Sequence, residues 1–270
     1  MNRKPAVAGA FYPASPQSLS KTVSSMVDNE ATKVEAVGLV LPHAGYVYSG
    51  PVAGATISRV QLEDTCILLG PNHTGYGVPF SLWPDDAWET PLGCVAIDDK
   101  LRQELLTNSA YLANDAAAHI REHSLEVQLP FLQHLKPNIK IVPIVLGGGT
   151  PGDYQALGQE IARVLSATGQ RATIIASSDM THYEPHSVAE GKDKLAIKAI
   201  IDLDAEALVA CITEHNITMC GYAPTLTLIA AAKGLGANTG ELIHYQTSGD
   251  TSGDYQSVVG YAGIVVRREL

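Results

Sequence analysis

The sequence predicts an α/β fold, a single domain over residues 1–270 whose mainly parallel or mixed central sheet is flanked by helices. Three observations support this prediction. Short apolar runs that are typical of buried strands alternate with helical patterns along most of the chain, which favours a sheet covered on both faces. No low-complexity linker, charge block or solenoid repeat divides the sequence. Finally, a length of 270 residues suits one large domain.

Five strands and seven helices are predicted from the local pattern of apolar residues. The strands, each a short run with β-branched residues, are 36–41, 66–69, 139–146, 172–177 and 258–266. The helices are 51–60, 99–106, 124–135, 152–167, 189–201, 205–215 and 223–233. Pro151 suits the start of the fourth helix and Gly169 its end, because proline fits the first turn and glycine the position just past the last.

Composition indicates a large core and narrows the choice of partner. Hydrophobic residues make up 46% of the chain and charged residues 17%, so many side chains are available for burial. The formal net charge is -10 and no cluster of Lys and Arg stands out. Nucleic acids and anionic membranes are therefore not expected as partners, whereas a small molecule or a protein is.

The cysteines and the N-terminal segment predict a cytoplasmic protein. The four cysteines, at positions 66, 94, 211 and 220, form no C-x-x-C pair, which is consistent with reduced thiols. The segment "MNRKPAVAGAFYP" is unlike a signal peptide, because Gly, Tyr and Pro interrupt its short apolar run. No stretch reaches the roughly 18 apolar residues of a membrane-spanning helix. A soluble protein is expected.

Histidines follow three of the predicted strands. The strand ending at residue 41 precedes "PHAGY" with His43, the one ending at 69 precedes "GPNHTGYG" with His73, and the one ending at 177 precedes "SDMTHYEPH" with His182. Ligand sites of open α/β sheets lie at the carboxyl ends of the strands, so these side chains are expected in one site. The alternative for each is a loop histidine that only makes two hydrogen bonds.

Asp179 and His123 are further candidates. If the segment after residue 177 turns helically, Asp179 and His182 share a face, and the carboxylate can orient the imidazole; alternatively Asp179 caps the next helix. His123 opens an amphipathic helix, where a neutral imidazole can serve as an acid or base or can bind nearby backbone. The remaining histidines are expected on the surface: His119, His134, His186, His215 and His244.

Cys220 lies directly before Gly221 and close to the apolar run 225–232. Three roles are open to it: an inert buried residue, a nucleophile or a metal ligand. A position at a helix start would stabilise its thiolate through the free N–H groups and the helix dipole, which favours the second and third roles.

Six motifs in order resemble those of the Memo family (mediator of cell motility), whose prokaryotic members are also called AmmeMemoRadiSam system protein B. They are "PHAGY" at 42–46, "GPNH" at 70–73, "EHSLE" at 122–126, "SSDMTHY" at 177–183, "CGYAP" at 220–224 and "GYAG" at 260–263. The opening "AGAFYP" at 8–13 is similar to the family's N-terminal segment, so the resemblance covers nearly the whole chain.

The resemblance implies a fold similar to class III extradiol dioxygenases, in which two histidines and a glutamate hold non-haem iron and leave positions open for the substrate and O₂. His43 and His73 match the two histidines, whereas Cys220 stands where the dioxygenases have the carboxylate. His123 and His182 match acid/base positions, and Asp179 would support His182 or reach the metal. The implied metal is divalent, with Fe(II) expected first, and copper or zinc also compatible with a thiolate ligand.

Three functions follow from these residues. The first is an iron-dependent oxidoreductase or dioxygenase that acts with O₂ on a small organic substrate. The second is a metal-binding or partner-binding module that keeps the scaffold without turnover, favoured by the exchange of carboxylate for thiolate. The third is a hydrolase in which Cys220 attacks a carbonyl, His182 is the base and Asp179 orients His182; it leaves His43 and His73 without a role. The family name also implies a functional link to a radical-SAM protein.

Overall fold

The computed structural model describes residues 2–269, and within them eleven strands and ten α-helices. The strands are β1 (Gly38–Leu41), β2 (Thr65–Pro71), β3 (Phe80–Leu82), β4 (Ala87–Thr90), β5 (Gly93–Ile97), β6 (Ala113–Asn114), β7 (Lys140–Leu146), β8 (Thr173–Ser177), β9 (His182–Glu184), β10 (Thr239–Thr247) and β11 (Val258–Arg267). The helices are α1 (Pro16–Met26), α2 (Tyr46–Ile57), α3 (Asp99–Asn108), α4 (Ala117–Ile120), α5 (Leu129–Leu135), α6 (Pro151–Thr168), α7 (His186–Ile201), α8 (Ala205–His215), α9 (Tyr222–Gly234) and α10 (Gly249–Ser252). A 3-10 turn, Glu126–Gln128, precedes α5.

The sheet is mixed, with four parallel strands at its centre. Its order is β10-β11-β1-β8-β2-β7-β3-β6, and β1, β8, β2 and β7 run parallel to their neighbours in that group. β11 is antiparallel to both β1 and β10, and β3 is antiparallel to β7. The predicted α/β fold with a mainly parallel or mixed sheet is confirmed. Because β1, β8 and β2 are adjacent and parallel, their carboxyl ends meet at one edge.

Helices cover both faces of the sheet, and side chains alternate between two cores. Along β2, Ile67 and Leu69 point into the core beneath α6 and α9, whereas Cys66 and Leu68 point into the core beneath α2 and α5. All four are fully buried. A fully buried leucine contributes roughly 1.5–3 kcal/mol, so the two cores hold the central strands in place.

The longest helix, α6, has the local signals that the sequence predicts. The Thr150 hydroxyl caps the helix by accepting a hydrogen bond from the N–H of Asp153. In turn, the Asp153 carboxylate accepts a hydrogen bond from the N–H of Thr150. Gly169 ends the helix in a left-handed conformation, with φ of 65°. The helix then packs along α9, where Gly158 lies so close to the Thr227 carbonyl that an added Cβ would collide with it.

Two predicted helices differ from the structure by five residues at their start. The first begins at Tyr46 rather than 51, so Pro51 lies inside α2. Pro51 has no N–H, and the Val47 carbonyl that would have accepted it is bonded instead by the Thr251 hydroxyl. The helix predicted for 124–135 is a 3-10 turn followed by α5.

The prediction that His119 lies on the surface is wrong, because this side chain is fully buried. Its ring lies between Trp83 and Trp88, at centroid distances of 5.7 and 5.8 Å, and its Nε2 donates to the Ser81 carbonyl oxygen at 3.2 Å. Burial, with a contribution from the charge of Arg3, lowers the pKa of His119 to about 3. It is a neutral core residue.

Among the helices of residues 2–269, none combines the length and the apolar character that crossing a lipid bilayer requires.

Candidate metal centre

Three histidines come together at the carboxyl edge of the sheet. His43 follows β1, His73 follows β2, and His123 lies in the loop between α4 and the 3-10 turn. Each offers one ring nitrogen, and these three atoms lie within 4.8 Å of one another. The ring centroids are 5.2 Å apart for His43 and His73, 5.5 Å for His43 and His123, and 4.7 Å for His73 and His123. The cluster could hold a metal ion.

The imidazole of His43 is held in one tautomer. Its Nδ1 lies 2.9 Å from Oγ of Ser177, the last residue of β8. That hydroxyl donates its single proton to the Ser124 carbonyl oxygen at 2.7 Å, so toward His43 it can only accept. The side-chain amide of Gln128 donates to Oγ of Ser177 and to the Pro42 carbonyl oxygen, each at 2.9 Å. Nδ1 of His43 therefore carries the proton, and the unprotonated Nε2 directs its lone pair toward the cluster, where Sγ of Cys220 lies 3.2 Å away.

Burial and the nearby His123 and His73 keep the pKa of His43 well below its ordinary value. The ring is 2% exposed and therefore neutral at physiological pH. A neutral imidazole with a free Nε2 is the form that binds a transition metal.

His73 is oriented by Glu122, which the sequence analysis did not single out. Nδ1 of His73 lies 2.9 Å from Oε1 of Glu122, and the His73 N–H donates to Oε2 at 2.7 Å. Because a carboxylate can only accept, Nδ1 carries the proton, and Nε2 of His73 is free to bind a ligand. Burial lowers the pKa of His73, but the hydrogen bond and charge of Glu122 outweigh it and raise the pKa overall.

Glu122 is a fully buried carboxylate that organises two of the three histidines. Besides the two bonds from His73, its Oε1 accepts the N–H groups of His123 and Ser124, each at 2.9 Å. Burial would raise the pKa of Glu122, but the hydrogen bond and charge of His73, the N–H of Ser124 and the charge of His123 lower it to about 2. The carboxylate is ionised and places a negative charge beside the cluster.

His123 completes the group from the loop that precedes the 3-10 turn. Its ring stacks on His73 and contacts Phe11 of the N-terminal segment at a centroid distance of 4.7 Å. Burial lowers the pKa of His123, and the charge of Glu122 opposes that shift without reversing it. An acid/base role was expected for His123, whereas its ring nitrogen lies among the candidate metal ligands.

Cys220 contacts the histidine cluster, but its sulfur is not one of the ligand atoms that all lie within 4.8 Å of one another. Its Sγ lies 3.2 Å from Nε2 of His43, and Gly221 allows the segment to pack against the end of β8, where an added Cβ would collide with the Ser177 carbonyl. Burial, followed by the charge of Asp179, raises the pKa of the Cys220 thiol instead of lowering it as a helix start would. Among the imidazoles, His43 and not His182 contacts this thiol.

Asp179 supports the His43 loop. Its Oδ1 accepts the His43 N–H at 2.7 Å, and its own N–H donates to Sγ of Cys220 at 3.3 Å. Burial raises the pKa of Asp179 to about 6, against the opposing effect of the His43 N–H. Within residues 2–269 no hydrogen bond joins this carboxylate to His182, because the segment is extended and the predicted shared helical face does not form.

His182 lies beside the cluster rather than in it. Its Nδ1 donates to the Thr218 carbonyl oxygen at 2.9 Å, and its N–H donates to the Thr218 hydroxyl at 2.7 Å. The carbonyl can only accept, so Nε2 of His182 has the free lone pair. His182 is close enough for its charge to lower the pKa of both His43 and Asp179.

The N-terminal segment is bound to the motif that carries His123. Glu126 is fully buried and accepts hydrogen bonds from Nη1 of Arg3 at 2.6 Å, the N–H of Ala6 at 2.7 Å and the hydroxyl of Tyr12 at 2.6 Å. Arg3 also bonds the carbonyl oxygens of His119 and Glu122. This network holds the segment that contributes Phe11 to the site.

The donor set fits a transition metal. Imidazole nitrogen suits iron, copper, zinc and nickel. In His43 and His73, a hydrogen bond at Nδ1 orients the ring so that Nε2 can bind the metal. A buried carboxylate 2.9 Å from one ring would balance part of the charge of a bound cation.

Known proteins are similar to this chain over nearly its whole length. A family model described as Memo-like protein matches residues 3–265. A MEMO1 family protein of Methanopyrus kandleri is 41% identical, over 99% of this chain and 100% of its own length. Those of Sulfolobus acidocaldarius and Aquifex aeolicus are each 43% identical. The first match covers 98% of this chain and 99% of the relative, and the second covers 97% and 98%. An uncharacterised protein of Escherichia coli K12 has a similar solved structure, with a TM-score of 0.58, 14% identity, and coverage of 84% of this chain and 98% of that one.

Proposed function

The chain belongs to the Memo family, and from that membership and the geometry of its histidines we propose that it is a metal-dependent oxidoreductase acting with O₂ on a small organic substrate. The observation that carries the proposal is the convergence of three imidazoles whose donor atoms lie within 4.8 Å, two of them with their free nitrogen fixed by hydrogen bonds. Fe(II) is the metal we propose.

The chain's own residues would bind the metal and move a proton near it. When bound, Fe(II) with open positions supplies a centre at which O₂ and an organic diol can react. His182 keeps a free Nε2 beside the cluster and can take the proton of a substrate hydroxyl. Asp179 fixes the backbone of His43, and Glu122 fixes the ring of His73. These contacts keep the site ordered for catalysis.

Two side chains compete for the third ligand position beside His43 and His73. His123 is favoured by the mutual distances of the ring nitrogens. Cys220 is favoured by the family motif and by its sulfur lying 3.2 Å from the His43 nitrogen that is free to bind. A thiolate in that position makes a softer, more electron-donating site than a third imidazole.

The second candidate function is a metal-binding or partner-binding module without turnover. The contact of the Cys220 thiol with His43 favours it, because a soft ligand can hold copper or zinc without supporting oxygen chemistry. A functional link to a radical-SAM protein would suit either candidate.

Metal content and oxygen uptake test the proposal. Protein purified without chelator or added affinity-resin metal should hold stoichiometric metal, and His43→Ala and His73→Ala should lose it with the fold intact. Between His123→Ala and Cys220→Ser, the variant that loses metal identifies the third ligand; stoichiometric metal in Cys220→Ser would remove Cys220 from the ligand set. Anaerobic loading with Fe(II), followed by oxygen uptake with catechol-like compounds, separates the two functions. Metal binding without uptake would favour the module, and wild-type protein that binds no metal would contradict both.

A further inference from the structure

Tyr261 belongs to the "GYAG" segment of β11. The residue before it, Gly260, is hydrogen-bonded to the segment that runs from Asp179 to His182. The preceding Gly260 accepts a hydrogen bond from the Met180 N–H at 2.8 Å and donates to the Thr181 carbonyl at 2.9 Å. β11 pairs with β1 in the register that sets Val40 opposite Ile264. Continuing this register three residues places Tyr261 at the level of His43.

The side chain of Tyr261 projects toward the first turn of α2. Side chains alternate along a strand, so Tyr261 shares a face with Gly263, where an added Cβ would collide with Thr56 of α2. Gln246, the residue paired with Tyr261 on β10, donates from its amide to the Tyr48 carbonyl oxygen at 2.5 Å. Tyr261 therefore lies beneath the turn that begins just after His43.

Tyr261 differs from the other buried tyrosines in having no hydrogen-bond partner. It is 2% exposed, yet within residues 2–269 its hydroxyl makes no hydrogen bond and its ring belongs to neither hydrophobic core. By contrast, Tyr12 donates to Glu126, Tyr46 to the Val127 carbonyl, and Tyr154 to the Gly147 carbonyl. The Tyr261 hydroxyl oxygen is not fully enclosed, although the residue as a whole is buried, so it can donate a hydrogen bond to a bound molecule.

The surroundings keep this hydroxyl protonated. Burial, followed by the charges of Asp179, Tyr48 and Tyr183, raises the pKa of Tyr261 above its ordinary value. The group is therefore a hydrogen-bond donor throughout the physiological range. Gly260, next to Tyr261, is hydrogen-bonded to Met180, next to Asp179, and Asp179 accepts the His43 N–H at 2.7 Å, so this segment connects Tyr261 to the histidine cluster.

We propose that Tyr261 is a ligand-binding residue of the histidine centre, whose hydroxyl donates a hydrogen bond to an oxygen of a small aromatic ligand bound there, such as a catecholate. This inference rests on the proposed metal-dependent function and adds to it a residue that selects oxygen-bearing ligands. Tyr261→Phe keeps the ring and removes only the donor.

The probe for the test is 4-nitrocatechol, whose visible absorption changes on ionisation, added anaerobically to Fe(II)-loaded protein. Metal content is measured first. Tyr261→Phe should hold Fe(II) like the wild type, keep its melting temperature because no internal bond is lost, and bind 4-nitrocatechol about ten- to a hundredfold more weakly. The matched control is Tyr154→Phe, another buried phenol, whose hydroxyl also accepts the Gly149 N–H at 2.9 Å. It should melt at a lower temperature and bind the probe normally.

Other outcomes would overturn either the role of Tyr261 or the proposed metal-dependent function. Equal affinity of Tyr261→Phe and wild type for 4-nitrocatechol would overturn the role of Tyr261. So would a failure of the Fe(II)-loaded wild type to bind the probe, although the metal site itself would stand. Wild-type protein that takes up no Fe(II) would overturn the proposed function before the probe is added.

Discussion

Glu122→Gln tests whether one buried carboxylate organises the histidine cluster. Glu122 accepts four N–H groups, two from His73 and one each from His123 and Ser124. A glutamine has one acceptor oxygen, and its NH₂ would face at least one of these donors. The substitution changes no volume, so its effect comes from hydrogen bonding and charge alone.

The expected loss of stability is about 3 kcal/mol. A buried N–H without an acceptor costs roughly 1–3 kcal/mol, and bonds to a charged acceptor are about twice as strong as neutral ones. A loss of that size lowers the melting temperature of a chain of this length by about 6–12 °C. Because His73 loses its orienting partner, metal affinity should also fall about ten- to a hundredfold.

The pH dependence gives an independent check on the same group. The pKa of Glu122 falls from its ordinary 4.5 to about 2 in the folded protein. The unfolded chain therefore binds the proton more readily, and the stabilisation by ionised Glu122, roughly 3 kcal/mol at 1.36 kcal/mol per unit, is present above pH 4.5 and is lost as the pH falls toward 2. The difference in unfolding free energy between wild type and Glu122→Gln should narrow over that range.

Urea unfolding followed by circular dichroism, and metal competition with a chromophoric chelator, measure both effects. Glu89→Gln is the matched control, because Glu89 is a surface carboxylate bonded to Lys4 and Asn2. Its unfolding free energy should stay within about 0.5 kcal/mol of the wild type. If Glu122→Gln behaved like this control in stability and in metal affinity, the organising role of Glu122 would be refuted.

Two further predictions concern the packing around the site. Glu126→Gln should release the N-terminal segment, because the buried Arg3 guanidinium and the Tyr12 hydroxyl lose their charged acceptor; faster amide exchange of residues 6–12 with unchanged exchange in α6 would show it, and uniform exchange would count against it. Gly263→Ala should destabilise the protein by about 1–3 kcal/mol, since its Cβ would collide with Thr56, and adding Thr56→Ala should recover part of the loss in urea unfolding; no recovery would mean that the strain lies elsewhere.

The positions of His43 and His73 were predictable from the sequence for a simple physical reason. Their strands are short, apolar and β-branched, and parallel strands that are adjacent in a sheet bring their carboxyl ends together. The strand order β1-β8-β2 fulfils that condition. The prediction required that these segments be strands, which the local pattern indicates, and that they be parallel, which the intervening helices indicate.

Glu122 and His119 were not predictable in the same way. A glutamate or histidine among polar neighbours is usually exposed, and local sequence contains no signal that it is buried. Glu122 is buried because it accepts N–H groups of His73, 49 residues away, and His119 because two tryptophans and Arg3 surround it. Such burial follows from contacts that form only in the complete fold. The one available signal for Glu122 was its place beside His123 in the "EHSLE" motif.

The place of β11 within the sheet has a consequence for how the protein folds. This last strand inserts between β10 and β1, so the pairing of Leu39 with Val265 closes a loop of more than two hundred residues. Contacts of such sequence separation form slowly. Until they form, one edge of β1, with its fully buried Leu39, Val40 and Leu41, has no partner strand and is exposed to other chains. Expression at low temperature or with a chaperone should therefore raise the yield of folded protein, and the metal centre, whose His43 follows β1, should form late in folding.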